Sequence, residues 1–105
     1  TFHIVDEAVM RALGTKGVLV NVARGSLVDE QALLRVLQEG ALGGAALDVF
    51  EDEPRVPEAF FTLDNVVLSP HVGSGTHHTR KAMGDLTVDN LIAYFSGKPV
   101  LTPVP

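Results

Sequence analysis

Three nearly continuous apolar runs punctuate the chain: Val18-Leu19-Val20-Asn21-Val22, Gly44-Ala45-Ala46-Leu47-Asp48-Val49 and Val66-Val67-Leu68-Ser69. The first suits a strand buried on both faces, as in a parallel sheet flanked by helices, and the other two read as a second and a third strand. The intervening stretches repeat with helical spacing. Asp6 is placed to cap a short helix, with Val5 and Met10 as a hydrophobic staple; Val9, Ala12 and Leu13 share a face, and Gly14 supplies the stop. Asp29 caps a second helix whose Leu33, Val36 and Leu37 lie on one stripe, with Gly40 at its end. The small residues at 44–46 leave room for a helix to pack closely on the second strand. Glu51 to Pro57, acidic and with two prolines, reads as a loop. Thr76 to Phe95 reads as a long helix with Met83, Leu86, Leu91, Tyr94 and Phe95 on a broad apolar face. Gly97-Lys98-Pro99 terminates it, and an extended tail with Pro103 and Pro105 follows. Strands alternating with helices predict an α/β fold, part of a doubly wound parallel sheet.

Composition narrows the function classes. A hydrophobic content of 46% with 6% aromatics is that of a globular chain, and 105 residues suffice for one small domain. The net charge is -5 and no Lys/Arg cluster occurs, so nucleic acid is not an expected partner. Without cysteine there are no disulfides, thiolate metal sites or Cys nucleophile, which fits a reducing compartment. No apolar run approaches the roughly 20 residues that span a bilayer. Thr1 to Val5 has neither a basic region nor an apolar signal core, and the expectation is a chain that starts within a larger protein.

In open parallel sheets, ligands bind beyond the carboxyl ends of the strands. Here the first run is followed by Arg24, the second ends at Asp48 with Glu53 close behind, and the third is followed by His71. A cation, carboxylates and an imidazole are thus delivered to one edge of the sheet. Arg24 alone reads more readily as a surface arginine before a glycine turn; at a strand end it can also grip a carboxylate through two hydrogen bonds. His71 can shuttle a proton near neutrality, and Glu53 could hydrogen-bond it and favour the imidazolium. Glu51 and Asp52 read as solvated loop carboxylates. His77 and His78 point in different directions from a helix, so with His71 they do not make a metal site. Gly73-Ser74-Gly75 lacks the lysine and spacing of a phosphate loop, and Ser26 and Ser69 lack a nucleophile signature.

Taken together, Val20-Asn21-Val22-Ala23-Arg24-Gly25, Val28-Asp29-Glu30 with Ala32-Leu33, Gly40 through Gly44 to Phe50, Glu53-Pro54, Asn65 to Leu68 and Pro70-His71-Val72-Gly73 resemble the D-isomer-specific 2-hydroxyacid dehydrogenase family. The stretch Gly73-Ser74-Gly75-Thr76 with Thr79-Arg80 and the ending Leu101 to Val104 is most similar to its glyoxylate/hydroxypyruvate and hydroxyphenylpyruvate reductases. The resemblance implies a two-domain enzyme, a cytoplasmic homodimer, that reduces small 2-keto acids to D-2-hydroxy acids with NAD or NADP as cofactor. It implies that Arg24 holds the substrate carboxylate and keto oxygen, His71 donates the proton, Glu53 orients His71, and Asp48 bonds the nicotinamide carboxamide. Backbone at Val22, Ala23, Gly73 and Ser74 would lie along the cofactor. Residues 1–75 would be the C-terminal part of the NAD(P)-binding domain, and 76–105 a linking helix and tail toward a substrate-binding domain. The family's glycine-rich dinucleotide fingerprint and most of the substrate domain are absent from these residues, so the isolated chain is expected to be inactive and poorly stable. The alternative is a nucleotide-sensing binding protein of the same fold, like the C-terminal binding protein corepressors.

Overall fold

The computed structural model describes residues 1–105. The chain divides into two compact units, Thr1–Gly73 and Ser74–Pro105. The first contains α1 (Glu7–Leu13), β1 (Val18–Asn21), α2 (Glu30–Gln38), β2 (Gly44–Leu47) and β3 (Val66–Leu68), with short 3-10 turns at Gly25–Leu27 and Glu58–Thr62. The strands form a parallel sheet in the order β1-β2-β3, with Val20 opposite Ala46 and Ala46 opposite Val67.

Both helices of this unit start as their sequences dictate. Asp6 accepts the Val9 N–H at 3.0 Å, and Asp29 accepts that of Ala32 at 2.9 Å, caps worth about 1 kcal/mol each. Val5 packs at the core's margin, and Met10 is fully buried. Around Met10, the core joins Ala32, Leu33, Val36 and Leu37 of α2 to Leu42, Ala45, Leu47 and Phe60. α1 nevertheless faces inward by a different stripe from the one expected. Val9 and Leu13 are exposed, whereas Glu7, Met10 and Arg11 look toward α2. Met10 turns into the core, and ion pairs accompany it: Arg35 meets Glu7 at 2.9 Å and Arg11 meets Glu39 at 2.6 Å. Exposed pairs of this kind add little, so the burial of Met10 is what fixes the inward stripe.

The strands are not buried on both faces. Leu19, Ala45, Leu47, Val66 and Leu68 face the core, while Val18, Val20 and Val67 are about two-thirds exposed on the other side. α1 and α2 both pack through the same core, so within this unit a single sheet face is covered. Of the small residues at 44–46, Ala45 lies in the core shared with α2, while Gly44 faces β3: a Cβ there would lie 2.8 Å from the carbonyl oxygen of Asn65.

The second unit is α3 (His77–Phe95) with its tail. Thr76 caps it, accepting the Thr79 N–H at 3.1 Å. Its residues Met83, Leu86, Leu91, Tyr94 and Phe95 are exposed. The tail is pinned to the helix by Asn90, which accepts the Thr102 N–H at 3.1 Å and donates to its hydroxyl at 3.0 Å. No helix is long and apolar enough to cross a membrane.

Candidate active site

Arg24 stands just beyond β1, in a turn closed by a side chain. Asn21, the polar residue of the first apolar run, accepts the Ala23 N–H at 3.1 Å and donates to the Arg24 carbonyl at 2.9 Å. The guanidinium is exposed, with Nη1 donating to the Ala23 carbonyl at 2.6 Å. Gly25 then presses onto the loop after β2. A Cβ at that position would lie 2.0 Å from the Phe50 carbonyl carbon and 2.4 Å from the Glu51 nitrogen. Only glycine permits this approach, which brings the Arg24 turn against the segment leading to Glu53.

Asp48 follows β2 directly, and its backbone N–H donates to the Asn21 carbonyl at 3.0 Å. Its carboxylate organises the turn after β3. Oδ1 accepts the Ser69 hydroxyl at 2.5 Å and the Val72 N–H at 2.9 Å; Oδ2 accepts the Gly73 N–H at 2.9 Å. These donors, the Ser69 hydroxyl foremost, hold the Asp48 carboxyl below its ordinary range. Between the bridged positions, His71 adopts φ 52, in the left-handed region. A non-glycine residue there carries strain of about 1–3 kcal/mol, sustained only where the surroundings over-determine it. Oδ2 retains an unused acceptor position, and a side chain at Gly73 would crowd it at 3.3 Å.

Glu53 meets His71 directly: Oε2 lies 2.7 Å from Nδ1. Its other oxygen accepts the Phe50 N–H at 3.0 Å. The hydrogen bond from His71, followed by that from Phe50, keeps the Glu53 carboxyl below its usual range. With Nδ1 committed to the carboxylate, Nε2 is the nitrogen free for proton transfer. The imidazole side chain is 47% exposed, so a ligand can reach it. Arg24, Gly25, Ser26, Phe50, Glu51, Glu53 and His71 line one open cavity of about 340 Å³.

The structure therefore brings Arg24, Glu53 and His71 onto one cavity, with Asp48 behind the turn that carries the histidine. Val22 and Ala23 are exposed, and the Gly73 amide is turned to Asp48. Ser74 belongs to the second unit, where its carbonyl accepts the Thr79 hydroxyl at 3.1 Å. Glu51 and Asp52 are exposed in their loop as expected, each with a surface partner: Glu51 meets His3 at 2.8 Å and Asp52 meets Arg55 at 2.8 Å. Sequence reasoning overlooked Asn21, Ser69 and Glu30. A buried Asn within an apolar strand, and a hydroxyl beside the Pro70-His71 turn, were the available signals. Glu30 offered none; it is 6% exposed and accepts the Glu51 N–H at 2.7 Å.

Comparison with known proteins gives a consistent picture. Residues 1–73 match the family model described as D-isomer specific 2-hydroxyacid dehydrogenase, NAD binding domain. The chain is 68% identical to glyoxylate/hydroxypyruvate reductase A of Arabidopsis thaliana, over 99% of its own length and 33% of that protein. It is 64% identical to hydroxyphenylpyruvate reductase of Plectranthus scutellarioides, with the same coverage, 99% and 33%. The NADPH-dependent glyoxylate/hydroxypyruvate reductase of Sinorhizobium meliloti, solved with NADP and malonate, superposes with a TM-score of 0.93 at 57% identity. That match covers 98% of this chain and 32% of the other. The chain thus spans about a third of the length of these relatives.

Proposed function

The chain belongs to the D-isomer specific 2-hydroxyacid dehydrogenase family, and on that premise we propose that the protein carrying it reduces small 2-keto acids of the glyoxylate and hydroxypyruvate type to D-2-hydroxy acids, using NADH or NADPH. The observation that carries this reading is the Glu53–His71 pair, 2.7 Å apart, on the same cavity as the exposed guanidinium of Arg24. The similarity to reductases at 64–68% identity supports an enzyme over the nucleotide-sensing alternative.

The residues at the strand ends suit a nicotinamide dinucleotide. Asp48 Oδ2 keeps an acceptor position open to an amide donor, and Gly73 leaves it uncrowded. In this reading Asp48 holds the carboxamide, and backbone at Val22, Ala23, Gly73 and Ser74 runs along the cofactor. The nicotinamide, when bound, supplies hydride to the keto carbon. Arg24 grips the substrate carboxylate and keto oxygen, and its charge stabilises the developing alkoxide. Nε2 of His71 delivers the proton to that oxygen, while Glu53 on Nδ1 keeps the ring oriented. Residues 1–75 serve the dinucleotide-binding domain, and 76–105 form a connecting helix and tail. The proposal extends to a cytoplasmic homodimer, to be checked by sedimentation and cell fractionation.

The test is turnover of glyoxylate and hydroxypyruvate by the full-length protein with each cofactor, in wild type and His71→Ala. Reduction should occur, and the variant should lose about 10²–10⁴-fold in kcat with cofactor affinity nearly intact. No turnover with either cofactor, or wild-type kcat in His71→Ala, would overturn the reading.

A further inference from the structure

Asn21 takes no part in the chemistry just described, yet it is only 6% exposed and it holds both ends of the turn that carries Arg24. Its Oδ1 accepts the Ala23 N–H at 3.1 Å and its Nδ2 donates to the Arg24 carbonyl at 2.9 Å. The Leu27 N–H reaches the same carbonyl at 3.3 Å, and the Asn21 carbonyl accepts the Asp48 N–H at 3.0 Å. Arg24 is therefore fixed at its backbone from two directions, while its guanidinium stays exposed. A carboxamide carries a donor and an acceptor on neighbouring atoms. Serine is too short to reach both ends of the turn, a carboxylate has no donor, and alanine has neither. The bond between the Asn21 carbonyl and Asp48 is a main-chain one, so changing the Asn21 side chain leaves it in place.

We propose that Asn21 is a positioning residue for Arg24: by closing the Asn21–Arg24 turn it presents the guanidinium to the carboxylate of the keto acid. Holding the Arg24 backbone in place before substrate arrives removes part of the ordering cost of binding. The effect therefore falls on affinity for the keto acid more than on proton transfer. This role rests on the functional reading above, and the experiment separates the two.

Kinetics of the full-length protein are measured for wild type, Asn21→Asp and Asn21→Ala, with thermal unfolding alongside. At neutral pH, Asn21→Asp keeps the acceptor for Ala23 but loses the donor to Arg24. Its KM for the keto acid should rise about tenfold, with a smaller change in kcat and an unchanged KM for the nicotinamide. As pH falls, the introduced carboxyl takes a proton in its buried setting and regains a donor. The ratio of variant to wild-type KM should then shrink. Asn21→Ala should raise the same KM without any rescue at low pH; if it does not fold, Asn21→Asp carries the test. An active wild type with an unchanged keto-acid KM in Asn21→Asp would overturn this inference alone. So would variants that lose kcat and cofactor binding in step with folded protein, which would make Asn21 a residue of the fold only. A wild type that reduces no 2-keto acid would overturn the functional reading and this role with it.

Discussion

Glu53 divides its carboxylate between two partners: Oε2 meets His71 Nδ1 at 2.7 Å, and Oε1 accepts the Phe50 N–H at 3.0 Å. The backbone bond fixes the carboxylate, and the fixed carboxylate then orients the ring. Because both partners favour the ionised form, His71 more than Phe50, the Glu53 carboxyl lies below its ordinary value of 4.5. A carboxyl depressed in the folded state adds stability above its unfolded value, and that stability disappears as pH falls through the folded one. Glu53→Gln keeps the shape without the charge. The melting-temperature gap between wild type and Glu53→Gln should therefore be widest near neutrality and close as pH is lowered toward about 3. In the full-length enzyme the variant loses the fixed carboxylate on Nδ1, so kcat for reduction should fall while cofactor affinity stays nearly intact. Superimposable melting curves with an unchanged kcat would mean that Glu53 does not act through His71.

Gly25 tests how tightly the Arg24 turn and the Glu53 loop are coupled. The nearest atoms to an added Cβ are backbone of Phe50 and Glu51, at 2.0 to 2.4 Å, and no flexible side-chain tip can give way. Gly25→Ala must push the two segments apart, at about 1–3 kcal/mol for overpacking alone. Since misplacement of about 1 Å can cost 10²-fold in rate, kcat/KM should fall at least that far. Wild-type kinetics in Gly25→Ala would show that the two segments move independently.

Ser69 is the largest influence holding the Asp48 carboxyl low, followed by the Val72 N–H. Ser69→Ala removes that donor, so the Asp48 carboxyl should titrate at higher pH. Protonated Asp48 is a weaker acceptor for Val72 and Gly73, so the turn holding His71 at φ 52 loosens. The loss of activity in acid should begin at higher pH in Ser69→Ala, and Ser69→Thr should restore the wild-type profile. Carbon-detected NMR titration of Asp48 checks the same shift directly; an unmoved titration would contradict it.

Two caps were legible because they are local: Asp6 and Asp29 each bond the amide three residues on. The strands and their order of chemistry were legible because apolar runs ending in Arg24, Asp48 and His71 admit few arrangements. What escaped was decided across the fold. The inward face of α1 is set by Met10 entering the core beside Leu33 and Val36 of α2, which no periodicity within α1 can register. The open face at Val18, Val20 and Val67 depends on which elements this chain supplies, and strand composition cannot express that. The left-handed His71 follows from Asp48 gripping amides 24 and 25 residues away.

Glu30 carries the opposite sign from Glu53. It is buried, and desolvation raises its carboxyl above the ordinary value of 4.5, aided by the charges of Glu51 and Asp52 and only partly offset by the Glu51 N–H. A raised carboxyl lends its stability below the unfolded value and loses it as pH rises through the folded one. Glu30→Gln keeps an oxygen for the Glu51 N–H, bonded at 2.7 Å, and removes the charge. One force opposes the exchange: Glu30 opens α2, where an anion gains about 0.3–1 kcal/mol from the helix dipole at an exposed site. Burial and two neighbouring carboxylates should outweigh it. The variant is therefore expected to match wild type in melting temperature near pH 4 and to exceed it near pH 8, both values approximate and set by the ordinary carboxylate range. Thermal unfolding across that interval decides the matter, and a variant that is less stable at the alkaline end would mean that the helix terminus, not burial, governs Glu30.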